Sequence, residues 1–180
     1  MFAAVLASDF LVHATGLCAL ALNVIALLRR CEKKLRLQSG VAGLLWALNN
    51  VLLGANAAAA LTLVSAGRTA TSAATLQRGE RTRRTALATF AALTVVVGLL
   101  AWDGWTTGFV IGASLWSTYA MFCMTGRALR LSMLAVCGLW MVHAWSYDAW
   151  EQMAANAVTA CVALYGAWRL ERVPGSSPGA

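Results

Sequence analysis

Seven apolar stretches, separated by short polar connections, follow one another along the chain. A helix needs about 20 mostly apolar residues to cross a bilayer, and each stretch approaches that length. The pattern therefore predicts an all-α membrane protein with seven transmembrane helices. The approximate bounds of six of them are 10–28, 37–53, 57–76, 85–101, 131–147 and 152–168. The fifth stretch in chain order begins after the turn at 102–105 and ends near residue 124. The tail 171–180 has nothing to bury, and we expect it to be disordered.

The composition supports a membrane protein. The mean hydropathy is +0.68, and only 12% of the 180 residues are charged, against about 25% in an average soluble domain. These values exclude a disordered chain and argue against a water-soluble globule. Seven spans leave no room for a separate soluble domain. Residues 1–8 carry no Lys or Arg, whereas a cleavable signal begins with positive charge, so we expect the first helix to be retained.

The charges are distributed asymmetrically between the connections. All 14 Lys and Arg residues follow odd-numbered spans or lie just inside them, and the other side carries no cation. The positive-inside rule then predicts an outer N-terminus and a cytoplasmic C-terminus. The excess of cations is explained by this topology, and no nucleic-acid partner is expected. The outer side carries four acidic residues and an expected aromatic belt: Asp9, Asp103, Asp148 and Glu151, with Trp102, Trp105, Trp145 and Trp150.

The chain also contains an internal repeat. A shift of 94 positions superimposes Arg36 on Arg130 and Trp46 on Trp140. Helices one to three therefore correspond to helices five to seven. Because one extra helix separates the triplets, both cross the membrane in the same direction, as parallel repeats do. We predict a first repeat at 1–76, a basic loop and linker helix at 77–103, and a second repeat at 104–170. The same shift pairs Asn23 with Ser117, Asn49 with His143, and Thr62 with Asn156.

Three segments carry a resemblance to known membrane proteins: 44–55, 139–144 and 156–159, with Arg68 beyond the first. They are similar to the bacterial YgjV inner-membrane family, and the plan of three, one and three helices resembles the SWEET and PQ-loop transporter superfamily. The resemblance implies a multi-pass protein of the bacterial inner membrane. It also implies a central cavity between the triplets, lined by a Trp of the second helix and an Asn of the third. At the matching positions this chain has Trp46, Trp140 and Asn156.

The chain departs from the superfamily at two points. The first repeat has Thr62 where the second has Asn156, which weakens the polar wall of the first half. The helices contain no proline, since the only two prolines lie in the tail, so a proline hinge is not expected. The glycines Gly40, Gly43 and Gly138 are alternative sources of flexibility.

Polar side chains are costly in hydrocarbon and tend to face the bundle interior. We predict a solute-binding site near mid-membrane, formed by Trp46, Thr62, Trp140, His143 and Asn156. Each of these has a plainer interpretation: helix packing for the Trp residues, an interhelical hydrogen bond for the Asn, and a satisfied interior position for the His. Three further candidates for the same wall are Asn49, Asn23 and Ser117.

Three other positions have alternative interpretations. Asn49 and its neighbour Asn50 lie closer to the outer face, where capping of the turn is an alternative to solute binding. Arg68 either extends its side chain to the inner face or lines the cytoplasmic mouth, where it would attract anions.

The functional prediction is a small-solute carrier or facilitator for a sugar-like or other small polar molecule, working without ATP. The alternative is a structural or interaction subunit of the membrane, which the small residues at 57–60 would suit. No mid-membrane carboxylate is present, so we expect neither catalysis nor a metal site. We also expect no cofactor, because His13 and His143 form no paired haem-ligand motif. Besides the lipid bilayer and the solute, no partner is predicted, and the sequence does not specify an oligomeric state.

Overall fold

The computed structural model describes residues 2–146 and 148–171, with side chains at 10–146, 148–150 and 152–170. The described residues form seven α-helices and no strand, which confirms the all-helical prediction. The tail prediction falls outside them from residue 172 onward. The helices are α1 (Phe2–Leu28), α2 (Glu32–Leu52), α3 (Asn56–Ala74), α4 (Glu80–Leu100), α5 (Thr107–Cys123), α6 (Gly126–Ser146) and α7 (Trp150–Glu171).

The distribution of side chains is the reverse of that in a water-soluble bundle. Large apolar side chains such as Leu44, Leu99 and Leu164 are exposed on the outside, whereas polar ones such as Asn50 and Arg130 are buried. An extensive apolar surface requires apolar surroundings. Three stretches of the described residues are long and apolar enough to cross a membrane on these criteria alone, Phe10–Leu28, Glu80–Leu100 and Gly126–Ser146.

Six helices form a closed ring. In order around it, α1 packs on α2, α2 on α3, α3 on α5, α5 on α6, α6 on α7, and α7 again on α1. The fourth helix lies outside the ring, against α3 and α5. It approaches α5 so closely at Gly98 that an added Cβ would lie 2.5 Å from Cγ1 of Ile111. This ring positions the functional site.

Small residues bring neighbouring helices together. An added Cβ at Gly43 of α2 would lie 3.1 Å from the Cβ of Ala66 on α3. The alanines at 57–59, at the start of α3, are all buried. Small residues at helix interfaces let backbones approach closely in membranes, so these positions are used for packing within the chain.

The bundle has two chemically different ends. We call the end with the connections 29–31, 75–79 and 124–125 the basic end, because Arg and Lys residues gather there. The opposite end, with the connections 53–55 and 101–106, is called the acidic end and carries Asp103 and Asp148. The expected aromatic belt lies at the acidic end, where all four indoles are exposed: Trp102, Trp105, Trp145 and Trp150.

Candidate functional site

A cavity of about 200 Å³ lies inside the ring. Residues from all six ring helices line it, and none comes from α4. On α2 alone the lining extends from Leu35 to Asn50, which at 1.5 Å per residue is about 22 Å along the helix axis. The cavity therefore extends along most of the bundle's length.

Equivalent positions of the two sequence repeats line this cavity. Seven pairs of residues, each separated by 94 positions, have both members in the lining. Because a helix presents only one face to the cavity, such matching requires both triplets to present the same face to it. The pairs are Asn23/Ser117, Leu27/Met121, Leu35/Leu129, Ser39/Met133, Trp46/Trp140, Thr62/Asn156 and Ser65/Thr159.

Six of the residues proposed for solute binding line this one cavity: Asn23, Trp46, Thr62, Ser117, Trp140 and Asn156. Both indoles are half-buried, so their ring surfaces remain available to a ligand. The amide Nδ2 of Asn156 donates to the carbonyl of Gln152, 2.8 Å away on its own helix. The structure therefore brings these six positions together; that they bind a solute stays a prediction.

Two of the proposed residues, Asn49 and His143, do not line the cavity. The Nδ2 of Asn49 donates to the carbonyl of Val12 at 2.8 Å, and so holds α2 against α1. His143 is buried, with its ring edge-on to Trp140 and their centroids 5.9 Å apart. Both lie three residues after a lining Trp. An α-helix completes a turn in 3.6 residues, so a residue three positions after the Trp is rotated away from the cavity-facing side. Asn49 and His143 are rotated in the same direction on their helices.

A polar chain that sequence reasoning missed crosses the cavity near the acidic end. Gln152 donates from Nε2 to Oδ1 of Asn50 at 2.9 Å, and Asn50 donates from Nδ2 to Oγ1 of Thr62 at 3.4 Å. Asn50 takes part in the predicted capping of the turn through its backbone carbonyl, which accepts from the N–H of Ala55 at 2.9 Å, while its side chain makes the bonds across the cavity. Gln152 could have been predicted from the sequence, because it precedes Asn156 by four residues and therefore lies on the same face of the helix.

Arg68 lies inside the bundle. The prediction that its side chain extends to the inner face is wrong: it is 4% exposed and lines the cavity. Its Nη1 donates to the carbonyl of Ser114 at 2.8 Å and to Oγ1 of Thr118 at 2.9 Å. These acceptors on α5 compensate part of the cost of burying the guanidinium, so the side chain need not reach water.

Two arginines close the cavity at the basic end in a reciprocal way. Arg36 of α2 donates to the carbonyls of Met121 and Met124, where α5 ends. Arg130 of α6 donates to the carbonyls of Leu27, at 3.4 Å, and of Arg29, at 2.7 Å, where α1 ends. Each of these arginine residues is 1% exposed. The last carbonyls of a helix have no partner within it, so each half of the chain caps a helix of the other.

Glu32 and two leucines complete this closure. One carboxylate oxygen of Glu32 accepts from the backbone N–H of Gly126 at 2.9 Å and lies 3.4 Å from Nη1 of Arg130. The other lies 3.7 Å from Nη2 of Arg36. Leu35 and Leu129, which directly precede these two arginines in the chain, line the cavity and are buried side chains of the same core cluster. Charged and apolar side chains from both halves of the chain therefore pack together at the basic end.

The comparisons with known proteins agree with a membrane location. A family model described as a bacterial inner membrane protein, YgjV, matches residues 10–173. No curated protein and no solved structure matches the chain.

Proposed function

This chain belongs to the YgjV family of bacterial inner membrane proteins, and we propose that it is a carrier or facilitator of a small polar solute. The observation that carries the proposal is the cavity inside the ring, lined by equivalent positions of the two repeats. The solute binds between the two half-buried indoles, Trp46 and Trp140. Flat aromatic faces suit a planar or sugar-like molecule, and transport proceeds without ATP.

The proposed architecture consists of two parallel triplets, α1–α3 and α5–α7, joined by α4 in the manner of SWEET-like proteins. The packing order supports it. If α1 corresponds to α5 and α3 to α7, the contact of α3 with α5 corresponds to that of α7 with α1, and both contacts are present. The position of α4 outside the ring suits a linker.

All seven helices cross the membrane in this proposal, with the basic end in the cytoplasm. The positive-inside rule supports that orientation. The shortest helix, α5, has 17 residues and measures about 26 Å, close to the roughly 30 Å of hydrocarbon in a bilayer. Exposed aromatic side chains lie near both of its ends, Trp105 just before α5 and Tyr119 close to its last turn, and such side chains suit the interfacial region.

The proposal involves no reaction of the solute. General acid–base catalysis needs a positioned proton donor or acceptor, and no described Asp or Glu lines the cavity. The lipid bilayer and the solute are the only partners that it requires.

Movement between an outward-open and an inward-open state requires flexible points in the helices. Among the glycines proposed for this role, Gly138 has no atom within 4 Å of an added Cβ, so α6 has space to bend there. Gly40 and Gly43 pack against Ala66 and its neighbours, which makes them contact points of α2 and α3. We therefore assign the flexible position to α6.

Cysteine accessibility tests the proposal. In a variant with the native cysteines replaced, Asn156→Cys is treated with a membrane-impermeant thiol reagent in intact cells and in inverted vesicles. We expect labelling from one side, because only a hydrated thiol ionises and reacts. Leu164→Cys on the outer face of the same helix, 54% exposed in the isolated chain, is the matched control and should stay unlabelled in lipid.

The alternative function is a non-transporting structural subunit. Of the small residues that first favoured it, at 57–60, the first three are buried within the chain and are therefore not available to a partner, and the fourth is half-buried. Protection of Asn156→Cys from both sides would support this alternative and contradict the carrier.

A further inference from the structure

The guanidinium of Arg68 has one edge engaged in hydrogen bonds and one edge without a hydrogen-bond partner among the described residues. Nη1 makes both of its hydrogen bonds, to Ser114 and Thr118. Its Nε is buried and has no hydrogen-bond partner among the described residues. No described carboxylate lies within 4.0 Å of it, as the ion pairs found involve other arginines. A buried charge with neutral partners on one edge only is incompletely compensated.

The cavity that Arg68 lines carries positive charge and no described negative charge. Its lining contains two arginines, several neutral amides and hydroxyls, and no Asp or Glu. Charges attract more strongly inside a protein than in bulk water, because the effective dielectric constant is lower there. An anion that enters the cavity therefore supplies the negative charge and the hydrogen-bond acceptors that Arg68 lacks.

Arg130, the other lining arginine, is already occupied. Its three nitrogens donate to the carbonyls of Leu27, Arg29 and Gly126, and Glu32 lies 3.4 Å from its Nη1. Using Arg130 for a ligand would release the closure at the basic end. Arg68 is therefore the cation with capacity for a ligand.

We infer that the solute is a small carboxylate, held by the unengaged edge of Arg68; this inference rests on the proposed function and specifies its substrate class. A guanidinium edge presents two parallel N–H donors that match the two oxygens of a carboxylate. The cavity of about 200 Å³ is smaller than the roughly 300–1,000 Å³ of sites for drug-sized ligands. Its apolar side chains, Leu35, Leu129 and Val136 among them, suit a short hydrocarbon body.

Binding to the purified full-length protein tests the inference. Calorimetric titrations in low-salt buffer use carboxylates of two to four carbons, each with its neutral primary amide, together with inorganic phosphate. We expect carboxylates to bind and their amides not to bind. Arg68→Gln should weaken carboxylate binding by about 10- to 100-fold, the range for hydrogen bonds to a charged group. Arg68→Lys, which keeps the charge and loses the paired donors, should retain part of the affinity.

Arg83→Gln is the matched control. Arg83 also donates to a carbonyl of α5, that of Phe122, but lies outside the cavity lining, so its loss should leave carboxylate binding unchanged. If Arg68→Gln fails to fold, a lowered preference of Arg68→Lys for carboxylate over amide still tests the geometry.

The outcomes separate the inference from the proposed function. Equal binding of carboxylates and amides, or undiminished binding by Arg68→Gln, overturns the carboxylate inference and leaves a pocket for neutral solutes. Binding of phosphate alone overturns the assigned class. Absence of binding overturns the inference too, and the carrier itself fails only if Asn156→Cys is also protected from both sides.

Discussion

At the residue scale, the phase of a helix determines which polar side chains face the cavity. Asn50 follows Trp46 by four residues and lines the cavity, whereas Asn49 follows it by three and packs against α1. A pattern of polar residues shows which segment of a helix contributes to a site, but it does not show which of those side chains face the cavity. The repeat helped with the face, since Trp46 and Trp140 could be paired from the sequence and both line the cavity.

The paired indoles give the first prediction. Replacing both, Trp46→Ala with Trp140→Ala, should abolish binding of the carboxylate probes and leave membrane insertion intact, because the walls of the cavity are lost while both helices remain apolar. We expect each single change to weaken binding by about 10-fold, the upper part of the range for aromatic contacts. Titration calorimetry measures binding, and membrane fractionation measures insertion.

Two exposed indoles serve as the control for that experiment. Trp102→Ala with Trp105→Ala also removes two indoles, both exposed at the acidic end and neither part of the cavity lining. This variant should bind as the unmodified protein does. Undiminished affinity after loss of Trp46 and Trp140 would mean that the cavity walls play no part in recognition.

At the scale of the elements, the two arginine caps hold the halves of the chain together. Arg36 and Arg130 align at the 94-residue shift, and each reaches the last carbonyls of a helix in the other half. The alignment is visible in the sequence. Their partners are not, because a backbone carbonyl has no residue-type signature and becomes an acceptor only where a helix ends.

Removing a cap should therefore destabilise the protein. For Arg36→Ala and for Arg130→Ala we expect the free energy of unfolding to fall by about 1–3 kcal/mol each, the cost of leaving buried acceptors unsatisfied. The stability lost by the double variant should differ from the sum of the two single losses by roughly 0.5–3 kcal/mol, because both arginines face Glu32 and residues in one network are energetically coupled. Denaturation in detergent micelles provides these values.

Arg84→Ala is the control for the caps. Arg84 pairs with Glu80 on the surface, 2.5 Å apart, with both side chains mostly exposed. Such pairs contribute about 0–1 kcal/mol, so the variant should be nearly silent. If Arg36→Ala were equally silent, the caps would not contribute to stability.

The helix positions could be predicted because each apolar stretch is long and bounded by charge or glycine. Their starts were less predictable: α2 begins at Glu32 and α4 at Glu80, both before the apolar stretches that identified them. Glu, Lys and Arg are good helix formers and continue a helix past the end of its apolar stretch. Hydropathy marks the bounds of the apolar stretch, and the helix extends beyond them.

At the scale of the whole molecule, the separation of basic and acidic ends leads to a prediction of topology. A reporter fused after the tail should be cytoplasmic, and an N-terminal tag should be reachable from the periplasm, because cationic connections are retained in the cytoplasm. Paired alkaline phosphatase and fluorescent-protein fusions measure this. A periplasmic C-terminus would contradict both the seven-span count and the parallel repeat.

The burial of Arg68 without a carboxylate partner also has an electrical consequence. In the proposed carrier the arginine remains with the protein while a bound anion travels, so each transported carboxylate would move one negative charge across the membrane. Moving that charge through 100 mV corresponds to about 2.3 kcal/mol, or a concentration ratio of about 50. The interior of a respiring bacterium is electrically negative. An uncoupled carrier of this kind therefore expels its solute unless the outside concentration exceeds the inside one by more than about 50-fold, and uptake from lower outside concentrations requires a cation to travel with it.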